Sequence, residues 1–127
     1  MLCVEDYLDS LAWAESKGGV KGLSAIANQN LAIVTKFVSE NDWIHFLAKD
    51  PSIRSNTSIC LTLDLTPEKV KSLTSMLEKE GVAYDIGSYR DAPPGLRLWG
   101  GATVLPEDME ALMAWIKYAY HTIQAAK

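Results

Sequence analysis

Two arginines, Arg90 and Arg97, flank a connection that residues 91–95 (DAPPG) mark as a turn. Proline cannot donate to a strand ladder and glycine adopts backbone angles closed to other residues, so we predict a strand, a loop and a strand. An arginine inside an apolar strand is costly to bury unless an anion meets it, and its planar fork suits a carboxylate or a phosphate. Arg97 is therefore a candidate anion-binding residue, although a place on a solvated strand face, beside Asp85 or an aspartate of the loop, explains it as well.

The chain around this loop alternates between helical and extended patterns. Apolar residues at helical spacing predict helices over about 3–17, 20–39 and 66–80 and from Pro106 onward, and short apolar or β-branched runs predict strands at 43–47, 57–65, 82–86 and 96–99. After two opening helices the order is therefore β-β-α-β-β-α. We predict an α+β fold, a two-layer sandwich in which helices cover a small antiparallel or mixed sheet.

The pair Gly18-Gly19 separates the first two helices and is the one candidate boundary. We therefore divide the chain into an N-terminal helical unit, residues 1–19, and a main unit, residues 20–127. The second helix is apolar on more than one side, which predicts that it is covered on two sides. The first helix has an apolar face that also needs a partner, formed by Val4, Leu8, Leu11 and Trp13.

Composition narrows the function classes. The formal net charge of -4 argues against a nucleic-acid partner, and a hydrophobic content of 48% without a run of about 20 apolar residues predicts a folded chain that does not span a membrane. Cys3 and Cys60 lack metal-ligand spacing, so we expect no metal site and two free thiols in a reducing cytoplasm. His45 and His121 are the two histidines, and neither is placed where a catalytic residue is expected.

Residues 90–104 (RDAPPGLRLWGGATV) resemble the C-terminal segment of phosphoserine aminotransferases, which are class V aminotransferases that use pyridoxal phosphate. Four further stretches, at 2–8, 14–19, 54–58 and 81–87, occur in the order of that family. The resemblance extends over nearly the whole chain but only over the last third or so of a full-length enzyme. It implies an aminotransferase small domain with a long connecting helix, and it assigns residues 1–19 to the large-domain side.

The resemblance also implies roles for the two arginines. Arg97 matches the residue that holds the substrate's α-carboxylate, and Arg90 matches the region that meets the substrate's phosphate. Tyr89 stands where some relatives carry a histidine; it either donates a hydrogen bond to that phosphate or packs beside Pro93. The Schiff-base lysine and most of the cofactor site belong to the large domain, so we expect no catalytic residue and no bound pyridoxal phosphate in this chain alone.

The implied partners are phosphoserine, glutamate and the missing large domain. In the isolated chain we expect a homodimer or self-association through the exposed face of the first helix. Two alternatives stay open: a stand-alone small-anion-binding or regulatory module, and the small domain of another class V aminotransferase.

Overall fold

The computed structural model describes residues 1–126 and consists of four α-helices, one short 3₁₀ helix and three strands. The helices are α1 (Leu2–Ser16), α2 (Gly19–Glu40), α3 (Pro67–Lys79) and α4 (Pro106–Ala125), and the 3₁₀ turn is Pro51–Ile53. The strands are β1 (Ile44–Phe46), β2 (Ser58–Leu63) and β3 (Gly95–Trp99).

The three strands form one antiparallel sheet in the order β1-β2-β3. Alternate residues of each strand point to opposite faces, so Ile59, Leu61 and Leu63 of β2 are buried together with Leu96 and Leu98 of β3. This face packs on the apolar stripes of three helices. The stripes include Val34 and Phe37 from α2, Leu73 and Leu77 from α3, and Met109, Met113 and Ile116 from α4. The predicted α+β class is confirmed.

The strand predicted at 82–86 is wrong. That segment contributes one isolated bridge, between Gly87 and Leu96, and one hydrogen bond from Arg97 N–H to the Ile86 carbonyl of 2.9 Å. Asp85 has a φ of 53°, a left-handed conformation that interrupts an extended chain and that aspartate tolerates better than most residues. The apolar residues that suggested a strand belong instead to an irregular segment that lies along the edge of β3.

The joint between α1 and α2 lies at the predicted boundary, where Gly18 and Gly19 have φ values of 97° and 65°. Such angles are strained for any residue with a side chain, which explains the glycine pair. None of the residues of α1 is buried, and its apolar residues Leu8 and Leu11 are 54% and 48% exposed. The first helix therefore extends beyond the core with its apolar face open to solvent.

A buried asparagine ties α2 to the turn that follows β3. The Asn30 side chain is 0% exposed, and its Nδ2 donates to the carbonyls of Gly100 at 2.9 Å and Val104 at 3.0 Å. Among residues 1–126, its Oδ1 has no hydrogen-bond partner. This side chain holds the turn after β3 in place from within the core.

Asn30→Ala is expected to lower the free energy of unfolding by about 1–3 kcal/mol, because the buried carbonyl of Gly100 and the partly buried carbonyl of Val104 lose their donor. Asn28→Ala is the matched control, since it removes an exposed hydrogen bond to Asn56 and is expected to change stability by less than about 0.5 kcal/mol. Urea denaturation followed by circular dichroism measures both. Equal effects of the two substitutions would show that Asn30 has no special structural role.

Candidate anion-binding site

Arg97 reaches the surface because β3 alternates. Leu96 and Leu98 face the helices, so Arg97 and Trp99 face the opposite side of the sheet. Cys60 of β2 is paired directly across from Arg97, and Ser58 is paired across from Trp99. The open face of the sheet therefore presents a guanidinium flanked by a thiol, a hydroxyl and an indole.

A cavity of about 530 Å³ opens in front of this guanidinium. Its polar wall consists of Ser58, Tyr89, Arg97, Asp85 and Asp108, and its apolar floor consists of Ile86, Leu98, Val104, Met109 and Leu112. The segment that replaced the predicted fourth strand supplies one wall, and the first turn of α4 supplies another. The side chain of Arg97 is 30% exposed at this cavity, so an external ligand has access to it.

Two neighbours contact the guanidinium of Arg97. Its Nη2 lies 3.4 Å from Asp85 Oδ2 and 3.4 Å from the Asp85 carbonyl oxygen. Its central carbon lies over the ring of Tyr89, 4.7 Å from the centroid. The ion pair foreseen as the alternative explanation of Arg97 is thus present, but the Asp85 side chain is 94% exposed. Exposed pairs of this kind contribute little, and a better-placed carboxylate can displace Asp85.

The net charge of the side chains around the cavity does not favour a multiply charged anion. Arg97 is the cationic residue of the wall, and Asp85 and Asp108 are both anionic, so the ionised side chains that line the cavity sum to -1. Asp108 lies in the first turn of α4, where a carboxylate complements the helix dipole. A single carboxylate can bind if it replaces Asp85, whereas a phosphate needs positive charge from elsewhere.

Tyr89 is held between the loop and the sheet. Its hydroxyl lies 3.4 Å from Ser58 Oγ, and its carbonyl accepts a hydrogen bond of 3.0 Å from Ala92 N–H, which closes the turn 89–92. Tyr89 and Pro93 also line a common small cavity, in agreement with the predicted packing role. The hydrogen bond with Ser58, followed by the interaction with Arg97, lowers the pKa of the Tyr89 phenol.

Arg90 is placed differently from Arg97. It lies in the exposed turn 89–92 and is not among the residues that line the cavity. Within residues 1–126 its side chain is recorded in no hydrogen bond or ion pair. The structure therefore does not bring the two predicted arginines together in this cavity. Arg90 lines no part of the cavity that the described residues form.

Ser58, Asp85 and Asp108 are cavity residues that the sequence analysis did not assign to the site. The alternation of the strand at 57–65 could have placed Ser58 and Cys60 on the face opposite the core, but no pattern signals the left-handed Asp85. Trp99 lies on the same open face of the sheet as Arg97. It is 59% exposed, so it does not belong to the core of this chain, and its Nε1 donates to Thr103 Oγ1 at 3.1 Å.

The two glycines after β3 lie in closely packed positions. A Cβ on Gly100 would lie 2.8 Å from Ile59 Cδ1, and one on Gly101 would lie 2.3 Å from Trp99 Cζ2. His45 pairs with Asp64 at 3.0 Å and lies outside the cavity. Over the described part of the chain, no cluster of histidine, cysteine and acidic side chains could hold a metal ion, and no helix is long and apolar enough to cross a membrane.

The fold is that of a region of known aminotransferases. A solved phosphoserine aminotransferase from Bacillus circulans subsp. alkalophilus matches 87% of this chain with a TM-score of 0.77 at 21% identity, and the match covers 30% of that protein. A second solved phosphoserine aminotransferase matches with a TM-score of 0.76 at 15% identity. At these identities the likeness establishes the fold.

Sequence comparison is more specific. No protein-family profile matches the chain. The phosphoserine aminotransferases of Methanosarcina mazei and Methanosarcina barkeri are each 56% identical to it over 124 residues, which is 98% of this chain. The match covers 34% of each of those proteins, so the chain spans about a third of the length of its curated relatives. The predicted resemblance to the C-terminal part of phosphoserine aminotransferases is confirmed.

Asp85→Asn is expected to free the Arg97 guanidinium and to raise its rate of modification by phenylglyoxal by up to about fivefold, the size of an exposed ion pair. Asparagine keeps the tolerance for left-handed backbone angles, so the loop is preserved. Asp91→Asn removes the same charge from the loop without a contact to Arg97 and is expected to leave the rate unchanged. Peptide mass mapping of Arg97 gives the rates; acceleration by both substitutions, or by neither, would contradict the assignment.

Proposed function

We propose that this chain is the C-terminal small domain of a phosphoserine aminotransferase, in which Arg97 binds the α-carboxylate of the substrate. The longer enzyme exchanges an amino group between phosphoserine and 2-oxoglutarate in serine synthesis. One observation carries the proposal: Arg97, in a chain 56% identical to such enzymes, faces an open cavity with only a weakly held carboxylate as its ionic partner. Because the relatives are about three times as long, the activity belongs to a longer protein.

The chemistry of amino-group transfer explains the need for an arginine at this place. The carboxylate of the amino acid must stay fixed while the bond between Cα and its hydrogen breaks. Two parallel hydrogen bonds from one guanidinium fix both the position and the plane of a carboxylate, and this orientation is a large part of the rate advantage. A side chain in a hydrogen-bonded strand is a firm support for such a clamp, since the main chain of Arg97 is itself tied to Ile86.

Arg90 is assigned to the phosphate of phosphoserine. Arg90 does not line the cavity, so it would meet the substrate only in a cleft that the rest of the enzyme closes. This arrangement fits the charge balance of the cavity, where the described residues supply too little positive charge for a dianion.

We expect the rest of the enzyme to supply the cofactor site. Pyridoxal phosphate needs a lysine amine for its imine, and among the described residues that line the cavity there is no lysine. When bound by the remainder of the enzyme, the cofactor supplies the electron sink for the carbanion. The proposed role of this chain is to bind the substrate.

We assign residues 1–19 to the large-domain side of the enzyme and residues 20–127 to the small domain, in a cytoplasmic dimer. Support comes from α1, which buries none of its residues and exposes an apolar face. A stand-alone anion-binding module is the second candidate, favoured by the 530 Å³ cavity and by the chain's own apolar core.

A chimera tests the proposal directly. The C-terminal part of the Methanosarcina mazei enzyme is replaced by this chain, and turnover of phosphoserine is measured. We expect activity, and Arg97→Ala is expected to lower kcat/KM by about 10- to 150-fold for each hydrogen bond lost to the carboxylate. Arg97→Lys keeps the charge but loses the fork, so it is expected to remain impaired.

Arg90→Ala in the chimera is expected to raise KM for phosphoserine more than KM for glutamate, which has no phosphate. Lys71→Ala, an exposed cation on α3, is the charge-matched control and is expected to be silent. A folded but inactive chimera would contradict the proposal. Calorimetric binding of phosphoserine by the isolated chain as tight as by the chimera, and lost in Arg97→Ala, would favour the module instead.

The isolated chain is expected to self-associate through α1, whose neighbour in the longer enzyme is absent. A second copy can cover Leu8 and Leu11. Since α1 carries four acidic and no basic residues, association is expected to strengthen with salt. Sedimentation equilibrium measures the effect.

Leu8→Glu with Leu11→Glu is expected to abolish this association. Ser10→Glu with Ser16→Glu adds the same charge to α1 without removing apolar surface and is the matched control. Were the wild-type chain strictly monomeric at high concentration, or both double variants equally monomeric, the apolar face of α1 would not be the contact.

A further inference from the structure

We propose that Tyr89 positions Arg97: its ring carries the guanidinium and holds the free N–H groups toward the cavity, ready for a carboxylate. This inference rests on the proposed function, because it concerns the residue that is assigned to the substrate's carboxylate. It adds a role that neither the resemblance nor the comparisons assign to Tyr89.

The first step is the geometry of the contact. The guanidinium carbon of Arg97 lies over the Tyr89 ring at 4.7 Å from its centroid, within the range of a cation–π interaction. The other recorded neighbour of the guanidinium is Asp85, at 3.4 Å and highly exposed. An arginine side chain has many rotamers, and ordering it costs free energy when it binds. The Tyr89 ring is the contact that reduces this freedom before a ligand arrives.

The second step is that the ring is itself anchored. Tyr89 closes the turn with Ala92 through its carbonyl, and its hydroxyl reaches Ser58 on β2 at 3.4 Å. Ser58 pairs with Trp99 of β3, the strand that also carries Arg97. Loop, ring and sheet therefore form one connected support for the side chain of Arg97.

The third step is that the ring leaves the donors of Arg97 available. An aromatic face offers no lone pair, so a cation–π contact orients the guanidinium without using a carboxylate's place. The recorded hydrogen bonds of the guanidinium both come from Nη2, and both go to Asp85. Within residues 1–126, the other interaction of the guanidinium is with Tyr89, through its ring and its hydroxyl. A ligand carboxylate can therefore bind to a guanidinium that is already oriented, once it has displaced Asp85.

The hydroxyl provides a second, separable readout. The titratable groups that face the phenol are Arg97 from β3 and Cys60 from β2, with Asp85 on the far side of the guanidinium. The hydrogen bond with Ser58, then the interaction with Arg97, lowers the Tyr89 pKa, so phenolate forms at a lower pH than in a free tyrosine. The phenolate pairs with Arg97 and competes with a ligand carboxylate. Ligand affinity is therefore full below this pKa and falls as the pH rises through it.

The experiment uses the 127-residue chain and three variants. Tyr89→Phe keeps the ring and loses the hydroxyl, and Tyr89→Leu loses both. Tyr118→Leu is the control, since Tyr118 is 56% exposed against 53% for Tyr89 and lies on α4 away from Arg97. The Nε–H signal of Arg97 in ¹H–¹⁵N spectra reports ring-current shift and side-chain order without a ligand. Titration with O-phospho-L-serine at several pH values reports affinity.

Positioning predicts that Tyr89→Leu loses the ring-current shift and weakens phosphoserine binding by about two- to thirtyfold, the range of one cation–π contact. Tyr89→Phe keeps the shift and the affinity but loses the fall in affinity at high pH. Tyr118→Leu behaves as wild type. An unchanged Arg97 signal in Tyr89→Leu, equal losses in Tyr89→Phe and Tyr89→Leu, or the same loss in Tyr118→Leu would each overturn the proposal.

Failure of the proposed function has a different signature. If the Arg97 signals follow the Tyr89 variants as expected but phosphoserine leaves Arg97 unperturbed in wild type, the positioning contact stands. The carboxylate-binding role of Arg97 in this chain then falls.

Discussion

The position of Arg97 depends on the alternation of buried and outward-facing side chains along the five residues of β3. Leu96 and Leu98 are each 1% exposed and fasten the strand to the helical layer, so Arg97 between them has to face the other way. A shift of the register by one residue would bury the guanidinium in the core without a partner. The free-energy cost of burying such a charge exceeds the stability of a small domain. The apolar core therefore fixes the direction of the arginine more firmly than any polar contact does.

How much the sequence could predict differs between the core and the site. The helices and the strands at 43–47, 57–65 and 96–99 follow from periodicity and turn residues, and Thr66 caps α3 as its place before Pro67 indicates. The strand at 82–86 failed because Val82, Ala83 and Ile86 look extended but pack against the core from an irregular segment. A single left-handed residue, Asp85, ends the pairing, and side-chain types do not reveal it.

Of the residues that line the cavity, the sequence analysis named Arg97 and Tyr89 as candidates. The environment of Arg97 is assembled from segments far apart in the chain: Ser58 comes from β2, Tyr89 from the loop and Asp108 from α4. No local pattern reports such encounters. The buried Asn30 belongs to the same class, since it looks like an ordinary polar residue of a helix yet bonds to carbonyls some 70 positions away. A single sequence does not reveal which distant residues a polar side chain contacts.

The charge balance of the cavity connects the fold to the proposed place of this chain in a longer enzyme. A cavity wall with one cation and two carboxylates can bind a single carboxylate but has too little positive charge for a phosphate. This is expected if the rest of the proposed enzyme forms the other side of the cleft. In the proposed function, this domain positions a substrate for chemistry performed by groups in the rest of the enzyme. The open face of the sheet and the uncovered face of α1 are the two surfaces where we expect the rest of the enzyme to pack.

The central claim is that Arg97 receives the substrate's carboxylate in place of Asp85. A crystal structure of the Methanosarcina mazei chimera with phosphoserine tests it most directly. The account predicts both carboxylate oxygens at about 2.7–2.9 Å from two nitrogens of Arg97, with Asp85 displaced. An Arg97 still paired with Asp85, while another residue holds the carboxylate, would contradict it.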